Sequence, residues 1–537
     1  MSLLYTKTPR NPLKHKADMI SIHSIPYPSP SLISEFESNR GCRCASILAA
    51  CLLFVSACSS STTADIQARI AAVEKGLIPA MVNEGSTPAG MTLTDRMQHF
   101  QVPGVSIAVI HNGAIEWAKG YGVTEAGGTQ AVTTETVFQA ASVSKPVSVT
   151  GIMMLAQSGV IDITRNVNDY LTTWHLEDNE FTVKEKATLQ RLMSHTAGVN
   201  VDGFGGYDVG SAIPTLLQVL NGAPPATTEP VRVVFIPGTR YSYSGGGMEV
   251  LQQMSEDVSG MPFRTYMKGS VFDRLGMNSS DFVQPMAGPL AARAAKAHDI
   301  DGAPIPGGWK VYPELIAAGL WTTPADLATL WIEVQRAAST GGGVMLTRET
   351  ANRILTVQPS SSMGLGFVLV SGKGGLIFNH SGSTFGYKSY ASAYRDRGQG
   401  VVVMSNGDNG YALIMEIIRA VARVYGWPDE GITAARLVDV PLATLQSYAG
   451  TYTATYSGAP LQARLYVAGG TLMIKTSIRG TGASADLFPT AADTFLLRDN
   501  TIINGTIVFS TDGSGRQIFT LTPPEGAAVV ATKTGDK

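Results

Sequence analysis

Cysteine is scarce and confined to one end of the chain. The 537 residues include four, Cys42, Cys44, Cys51 and Cys58, so nothing after Cys58 can form a disulfide or a thiolate metal site. Charge is sparse too: Asp, Glu, Lys and Arg make up 15% of residues, well under the usual ~25%. The two signs nearly cancel, 40 basic against 42 acidic, for a formal net charge of -2. With no basic run to break that balance, the electrostatic footprint of a nucleic-acid-binding protein is missing. The apolar stretch 45–56 is too short for a membrane-spanning helix, which needs about 20 residues. What is abundant is glycine, 57 residues, within a hydrophobic share of 44% that excludes disorder. At roughly 150 residues per domain, the length predicts about three domains.

The stretch 45–56 follows Arg40 and Arg43 and has the length of a signal-peptide core. It ends in Val55-Ser56-Ala57-Cys58, which resembles the bacterial lipoprotein box, where the cysteine is diacylated and becomes the first residue. Residues 1–57 are therefore expected to be a leader, removed or mis-started, and 58–63 a Ser/Thr linker from the anchor. The expected location is the periplasm, with membrane contact only through a lipid on Cys58.

Apolar spacing then outlines the elements. Ile66, Ile70, Val73 and Leu77 share one face and predict a helix over 65–84. Alternating runs at 105–110 and 114–121, joined by His111-Asn112-Gly113, predict a hairpin with a tight Asn-Gly turn. Residues 143–157 are apolar nearly all round, the pattern of a buried helix. Thr323-Pro324-Ala325-Asp326 marks a helix start, with a capping Thr, a Pro in the first turn and an acid three residues on. Strand patterns return at 366–370, 376–379, 387–394 and 401–404, and 412–425 predicts a closing helix. Strands at both ends with helices between them imply an α+β domain over 64–435: an antiparallel sheet flanked by helices, with a helical insertion. Beyond Pro441, short strands at 448–452, 463–467, 471–475, 494–497, 506–509 and 518–521 predict a small C-terminal all-β domain, 440–537.

One constellation carries chemistry. A serine hydrolase needs a nucleophile, a base that is neutral when it takes the proton, and donors for the oxyanion. Ser142-Val143-Ser144-Lys145 opens the predicted buried helix, and residues three apart on a helix share a face. Ser142 in a first turn also has a backbone N–H without a helical partner, which can serve as half of an oxyanion hole. For Lys145 to act as base, its pKa must fall from ~10.4 toward ~7, which costs the ammonium about 4–5 kcal/mol. Ser-x-x-Lys alone is a weak signal, equally met by a capping serine and a snorkelling lysine. Two further pieces accompany it: Tyr241 and Tyr243 just before Gly245-Gly246-Gly247 and a helix, and Phe378-Asn379-His380-Ser381-Gly382-Ser383 at the end of a strand.

With Val102-Pro103-Gly104-Val105, Leu192-Met193-Ser194-His195-Thr196-Ala197-Gly198 and Gly319-Leu320-Trp321-Thr322-Thr323, these motifs resemble the serine β-lactamase and penicillin-binding-protein superfamily. The likeness covers roughly 64–430. It is nearest the class C-like branch, which includes family VIII esterases, D-aminopeptidase-like enzymes and linear-peptide hydrolases such as those of linearised microcystin. The resemblance implies a β-lactamase-like fold, Ser142 as nucleophile, Lys145 as its base and Tyr243 as the phenol relaying the proton. It implies the Ser383 N–H as second oxyanion donor, with His380 and Gly382 on the same substrate-facing strand, and no metal or cofactor. In this pattern His195 is a satisfied histidine in a turn that begins a helix. Asp301 and Asp408 have no partner that the sequence can supply and are read as loop carboxylates.

Two departures bear on substrate. Gly245 stands where the resemblance calls for an Asn whose amide holds an antibiotic's acylamide side chain. His380 stands where many members carry Lys, and imidazole is mostly neutral at pH 7. Both disfavour β-lactam hydrolysis and carboxypeptidation, and favour esters or amides without a carboxylate beside the scissile bond. The expected function is an exported serine hydrolase acting on peptide or amide bonds, in linear or D-residue-containing peptides, with esterase activity. The alternatives are a family VIII-type carboxylesterase, or a β-lactamase or penicillin-binding lipoprotein with weak or no turnover. The partner is a small ester or short peptide. No Gly-x-Ser-x-Gly in a strand-to-helix setting, His-Glu-x-x-His, P-loop or Rossmann glycine pattern occurs, which removes α/β-hydrolase, metallopeptidase, nucleotidase and dehydrogenase readings.

Overall fold

The computed structural model describes residues 62–536, apart from 430, 457, 479–480 and 501–503, and the backbone alone at 481. The leader and the four cysteines, with the lipid anchor expected at Cys58, lie outside the described residues.

Alternation in two strands explains the main domain. Val105, Ile107, Val109, Val401 and Val403 face one side, Ala108, Ile110, Val402 and Met404 the other, and all are fully buried. Strands apolar on both faces need cover on both. They form the middle of a six-stranded antiparallel sheet whose order is Ala114–Gly122, Gly104–His111, Gly400–Ser405, Tyr387–Tyr394, Gly375–Thr384, Val368–Gly372. Helices Thr63–Glu74 and Gly410–Val424 cover one face. Helices Ser144–Gln157 and Pro324–Thr340, with the insertion between them, cover the other.

The local signals that held are those with a backbone cause. Asn112 and Gly113 both have positive φ, 52° and 72°, as a two-residue hairpin turn with the right twist requires. Thr323 caps its helix, with Asp326 N–H donating to its Oγ1 at 3.2 Å and Pro324 in the first turn.

Others need correction. The first helix ends at Glu74, not 84. Gly76 and Pro79 interrupt it, Leu77 instead bridges to Met91, and Met81–Asn83 pairs in parallel with Thr433–Ala435. The strand expected at 376–379 runs from Gly375 to Thr384, so the His380-x-Gly382 motif lies within it, near its end. Residues 442–448 are a helix, and the strand expected at 448 starts at Gly450.

The C-terminal region is a closed eight-stranded barrel running from Gly450–Tyr456 to Val529–Gly535, the last strand pairing with the first. Two of its strands, Thr481–Pro489 and Val529–Gly535, were not expected. Their buried side chains are mainly small, Ala483, Ala485 and Ala531 among them, and small residues leave little hydrophobic periodicity to read.

Buried charge joins barrel to main domain. Arg96 grips Glu416 through two hydrogen bonds of 2.7 and 2.8 Å and the barrel's Asp486 at 2.7 Å. Asp301, expected to be an unpartnered loop carboxylate, accepts from the barrel's Lys475 at 3.1 Å and also pairs with Arg464. Asp408 is likewise no loose loop residue. It forms a fully buried ion pair with Lys388 at 2.8 Å and accepts from Gly386 N–H, also at 2.8 Å.

Candidate active site

Ser142 lies in a short 3-10 turn, Ala141–Val143, that runs directly into the helix Ser144–Gln157. The residue before it is strained: Ala141 has φ +51°, a region L-residues rarely adopt, and one that concentrates at functional sites. Tertiary contacts enforce it. Ala140 N–H donates to Leu320 O at 2.8 Å, and Ala140 O accepts from Ser389 Oγ at 2.7 Å. Gly382 permits the close approach of the neighbouring strand. A Cβ there would lie 2.2 Å from both Ala140 O and Ser389 Oγ, so any other residue would push the strand off the Ser142 turn.

Lys145 is 2% exposed. Its Nζ sits 3.1 Å from Ser142 Oγ and 2.8 Å from Ala317 O, and 4.9 Å above the Tyr243 ring. Burial pulls the amine from 10.5 down to about 7, against a smaller opposing pull from Glu249. Half of these amines are therefore neutral near pH 7, and a neutral amine can accept a hydroxyl proton.

Tyr243 directly precedes Ser244, which caps the helix Gly245–Ser259 by accepting Gly247 N–H at 2.8 Å. The Tyr243 phenol interacts with Ser142, and burial pushes it above the ordinary value of 10, so it is a neutral O–H at physiological pH. Tyr241, the competing tyrosine, is 42% exposed.

His195 differs from its expected setting. It follows the end of the helix Leu189–Met193, with φ +57°, instead of beginning one. Its Nδ1 accepts from Ser244 N–H at 3.2 Å, and its ring lies 4.4 Å from the Tyr243 ring. Burial, then repulsion from Lys145, holds it well below 6.5. It is a neutral platform under Tyr243.

His380 donates through Nδ1 to Ser381 O at 2.6 Å. Burial, then Lys145, lowers it to about 4. The imidazole, expected to be mostly neutral, is therefore uncharged near neutrality. Its Nε2 and the Oγ of Ser383 are buried without a hydrogen-bond partner among the described residues. The Ser383 backbone sits opposite Lys388 in the sheet, one residue beyond the Gly382 contact with the Ser142 turn.

A side chain at Gly245 would have to displace Phe204. A Cβ there would come within 2.8 Å of Phe204 Cε2 and 3.4 Å of Asp202 O. The loop carrying Phe204 is tied to this helix start by Gly246 N–H to Val201 O at 2.9 Å. Farther along, Tyr207–Asp208 pairs with Lys310–Val311. The half-buried Phe204 thus fills the space an asparagine would need. Sequence reasoning missed Phe204, as well as Ala317 and the buried Glu249 and Glu314, because each reaches the site only through tertiary contact. Among the described residues, no group of three or more His, Cys, Asp and Glu could hold a metal ion.

Residues 91–426 match the β-lactamase family model. The chain belongs to the β-lactamase family. Over 345 residues it is 26% identical to penicillin-binding protein 4 of Amycolatopsis lactamdurans, covering 60% of this chain and 86% of that one. Over 342 residues it is 22% identical to protein flp of Staphylococcus aureus strain N315, covering 62% of this chain and 65% of flp. The octameric penicillin-binding protein homologue from Pyrococcus abyssi superposes with TM-score 0.55 at 20% identity, covering 82% of this chain and 98% of that one. SurE bound to D-Leu follows at TM-score 0.51 and 20% identity, with 82% and 97% covered. At such identities the structural likeness speaks for the fold: a β-lactamase-like domain of helices on a sheet, followed by an all-β barrel.

Proposed function

We propose that this β-lactamase-family protein is an exported serine hydrolase that cleaves peptide or amide bonds through an acyl-enzyme on Ser142, with esterase activity alongside. The carrying observation is the Lys145 amine, buried and lowered to about 7, 3.1 Å from Ser142 Oγ. In the proposed sequence, Ser142 Oγ attacks the carbonyl carbon as its proton passes to Lys145 Nζ. The oxyanion is held by the N–H groups of Ser142 and Ser383. The tetrahedral adduct collapses as the leaving nitrogen or oxygen takes that proton through Tyr243. Water, deprotonated at the Lys145–Tyr243 pair, then attacks the acyl carbon and restores Ser142. Tyr243, held as a neutral phenol, relays the proton, and the base is the amine.

Substrate choice follows from the two departures. A neutral His380 offers no charge to a carboxylate, and the Phe204–Gly245 contact offers no amide to an acylamide side chain. Both features support an ester or an internal peptide bond over a β-lactam or a terminal D-amino acid. The likeness to penicillin-binding protein 4 supports a second reading, in which penicillin acylates Ser142 with little turnover.

Wild type and Ser142→Ala treated with a fluorophosphonate and a p-nitrophenyl ester test the central claim: wild type should react with both and the variant with neither. A wild type inert to both sinks it. Intact mass after brief exposure to esters, D- and L-peptides and a cephalosporin separates the readings, since a stable adduct with the cephalosporin alone favours the second. Lipid anchoring at Cys58 belongs to the same proposal and is supported by the sequence around it. Cys58→Ser should move the protein from the membrane to the soluble fraction, whereas a soluble wild type argues against the anchor.

A further inference from the structure

The turn that anchors Lys145 is itself held by the helix behind Tyr243. Leu315–Ala318 is a single helical turn, so its first N–H groups have no partner within it. The helix Gly245–Ser259 supplies partners from two side chains three residues apart, on one face. Gln252 Oε1 accepts from Leu315 N–H at 3.2 Å and Ile316 N–H at 3.4 Å. Glu249 Oε1 accepts from Ala317 N–H at 3.1 Å. At the other end of the turn, Ala317 O accepts from Lys145 Nζ at 2.8 Å. Residue 317 is thus gripped through its N–H by Glu249 and through its carbonyl by the amine beside Ser142.

Glu249 is fully buried, and its Oε2 has no hydrogen-bond partner among the described residues. The charged and titratable groups around it are Lys145, Glu314 with Tyr207 beside it, and Glu256 on its own helix, while His195 and His380 interact with Lys145. Burial and the neighbouring Glu314 push the Glu249 carboxyl well above its ordinary range. An ionised carboxylate here pulls Lys145 toward the ammonium form, against the larger effect of its burial. A carboxylic acid keeps the clamp and leaves the amine free to lose its charge.

We propose that Glu249 is a positioning residue for the acylation base: through Oε1 it fixes residue 317, whose carbonyl in turn holds the Lys145 amine beside Ser142 Oγ. The proposal rests on the Ser142–Lys145 hydrolase reading. It implies that an amide can replace the acid, as Gln252 already clamps the same turn.

The test compares Glu249→Gln, Glu249→Ala and Gln252→Ala in the full chain, by kcat, KM and pH–rate profiles on p-nitrophenyl butyrate. Glu249→Gln should keep kcat within about threefold and leave the acid limb in place. Glu249→Ala should lower kcat by about 10–100-fold with KM little changed, the signature of a misplaced base. Gln252→Ala, which loosens the turn without releasing Ala317, should lose much less. A Glu249→Gln as impaired as Glu249→Ala overturns the proposal. So does an acid limb in Glu249→Gln that moves about a pH unit lower, because that shift reveals a charge on the native carboxyl. Equal kcat losses in Gln252→Ala and Glu249→Ala overturn it as well, because the turn and not the anchor would then be what is lost. Should Glu249→Ala fail to fold, the Glu249→Gln profile decides alone. An inert wild type removes the hydrolase reading and this proposal together, while an active wild type matched by Glu249→Ala removes this proposal only.

Discussion

Replacing Lys145 with Met should abolish turnover and yet stabilise the fold, most strongly at low pH. The amine is 2% exposed and drops from 10.5 to about 7 on folding because its charged form is desolvated. At 1.36 kcal/mol per pH unit, that difference is a penalty of about 5 kcal/mol. Since the folded pKa lies below the unfolded one, the unfolded chain binds the proton more tightly and stability rises with pH. The penalty is complete below about pH 7, falls to about 2 kcal/mol at pH 9 and vanishes above the unfolded value. Met keeps most of the bulk and never carries the charge. It also strands Ala317 O, now bonded by Lys145 at 2.8 Å, at a cost of about 1–3 kcal/mol. The net expectation is a gain of roughly 3 kcal/mol at pH 6 and almost nothing at pH 9. Urea unfolding of both proteins at the two pH values, followed through the buried Trp321 and Trp331, measures it directly. No gain at pH 6, or a gain that grows with pH, would refute the claim that a desolvated amine sits beside Ser142.

Three further expectations follow. Wild-type kcat/KM should rise with pH along a single acid limb near 7, set by Lys145; a second limb between pH 5 and 6.5 would contradict the neutral His380, whose value lies at about 4. Gly245→Ala should lower stability by about 1–3 kcal/mol through overpacking against Phe204, and Phe204→Ala should recover much of the loss; strictly additive effects in thermal melts would contradict the contact. Asp408→Asn leaves the fully buried Lys388 ammonium without its counter-charge and should cost about 3–5 kcal/mol in urea unfolding, with a loss under 1 kcal/mol counting against the pair.

What the sequence determined by itself is whatever depends on near neighbours in the chain. The Ser142-to-Lys145 spacing, the Asn112-Gly113 hairpin and the Thr323 cap are set by backbone geometry within a few residues, and the unbroken apolar run 401–404 reports burial on both faces of a central strand. Where the local signal was faint, as in the Ala-lined barrel strands, the elements went unread. Only the tertiary structure decided the electrostatics. Lys145 loses its charge because helices distant in sequence exclude water from it, and His380 loses its own because burial and that amine both disfavour a proton. The same holds for Phe204 over Gly245, Asp301 between the domains and Glu249 beneath Ala317. Desolvation and close approach depend on everything that surrounds a group in space, and residues separated by tens to hundreds of positions carry no periodicity that announces they will meet.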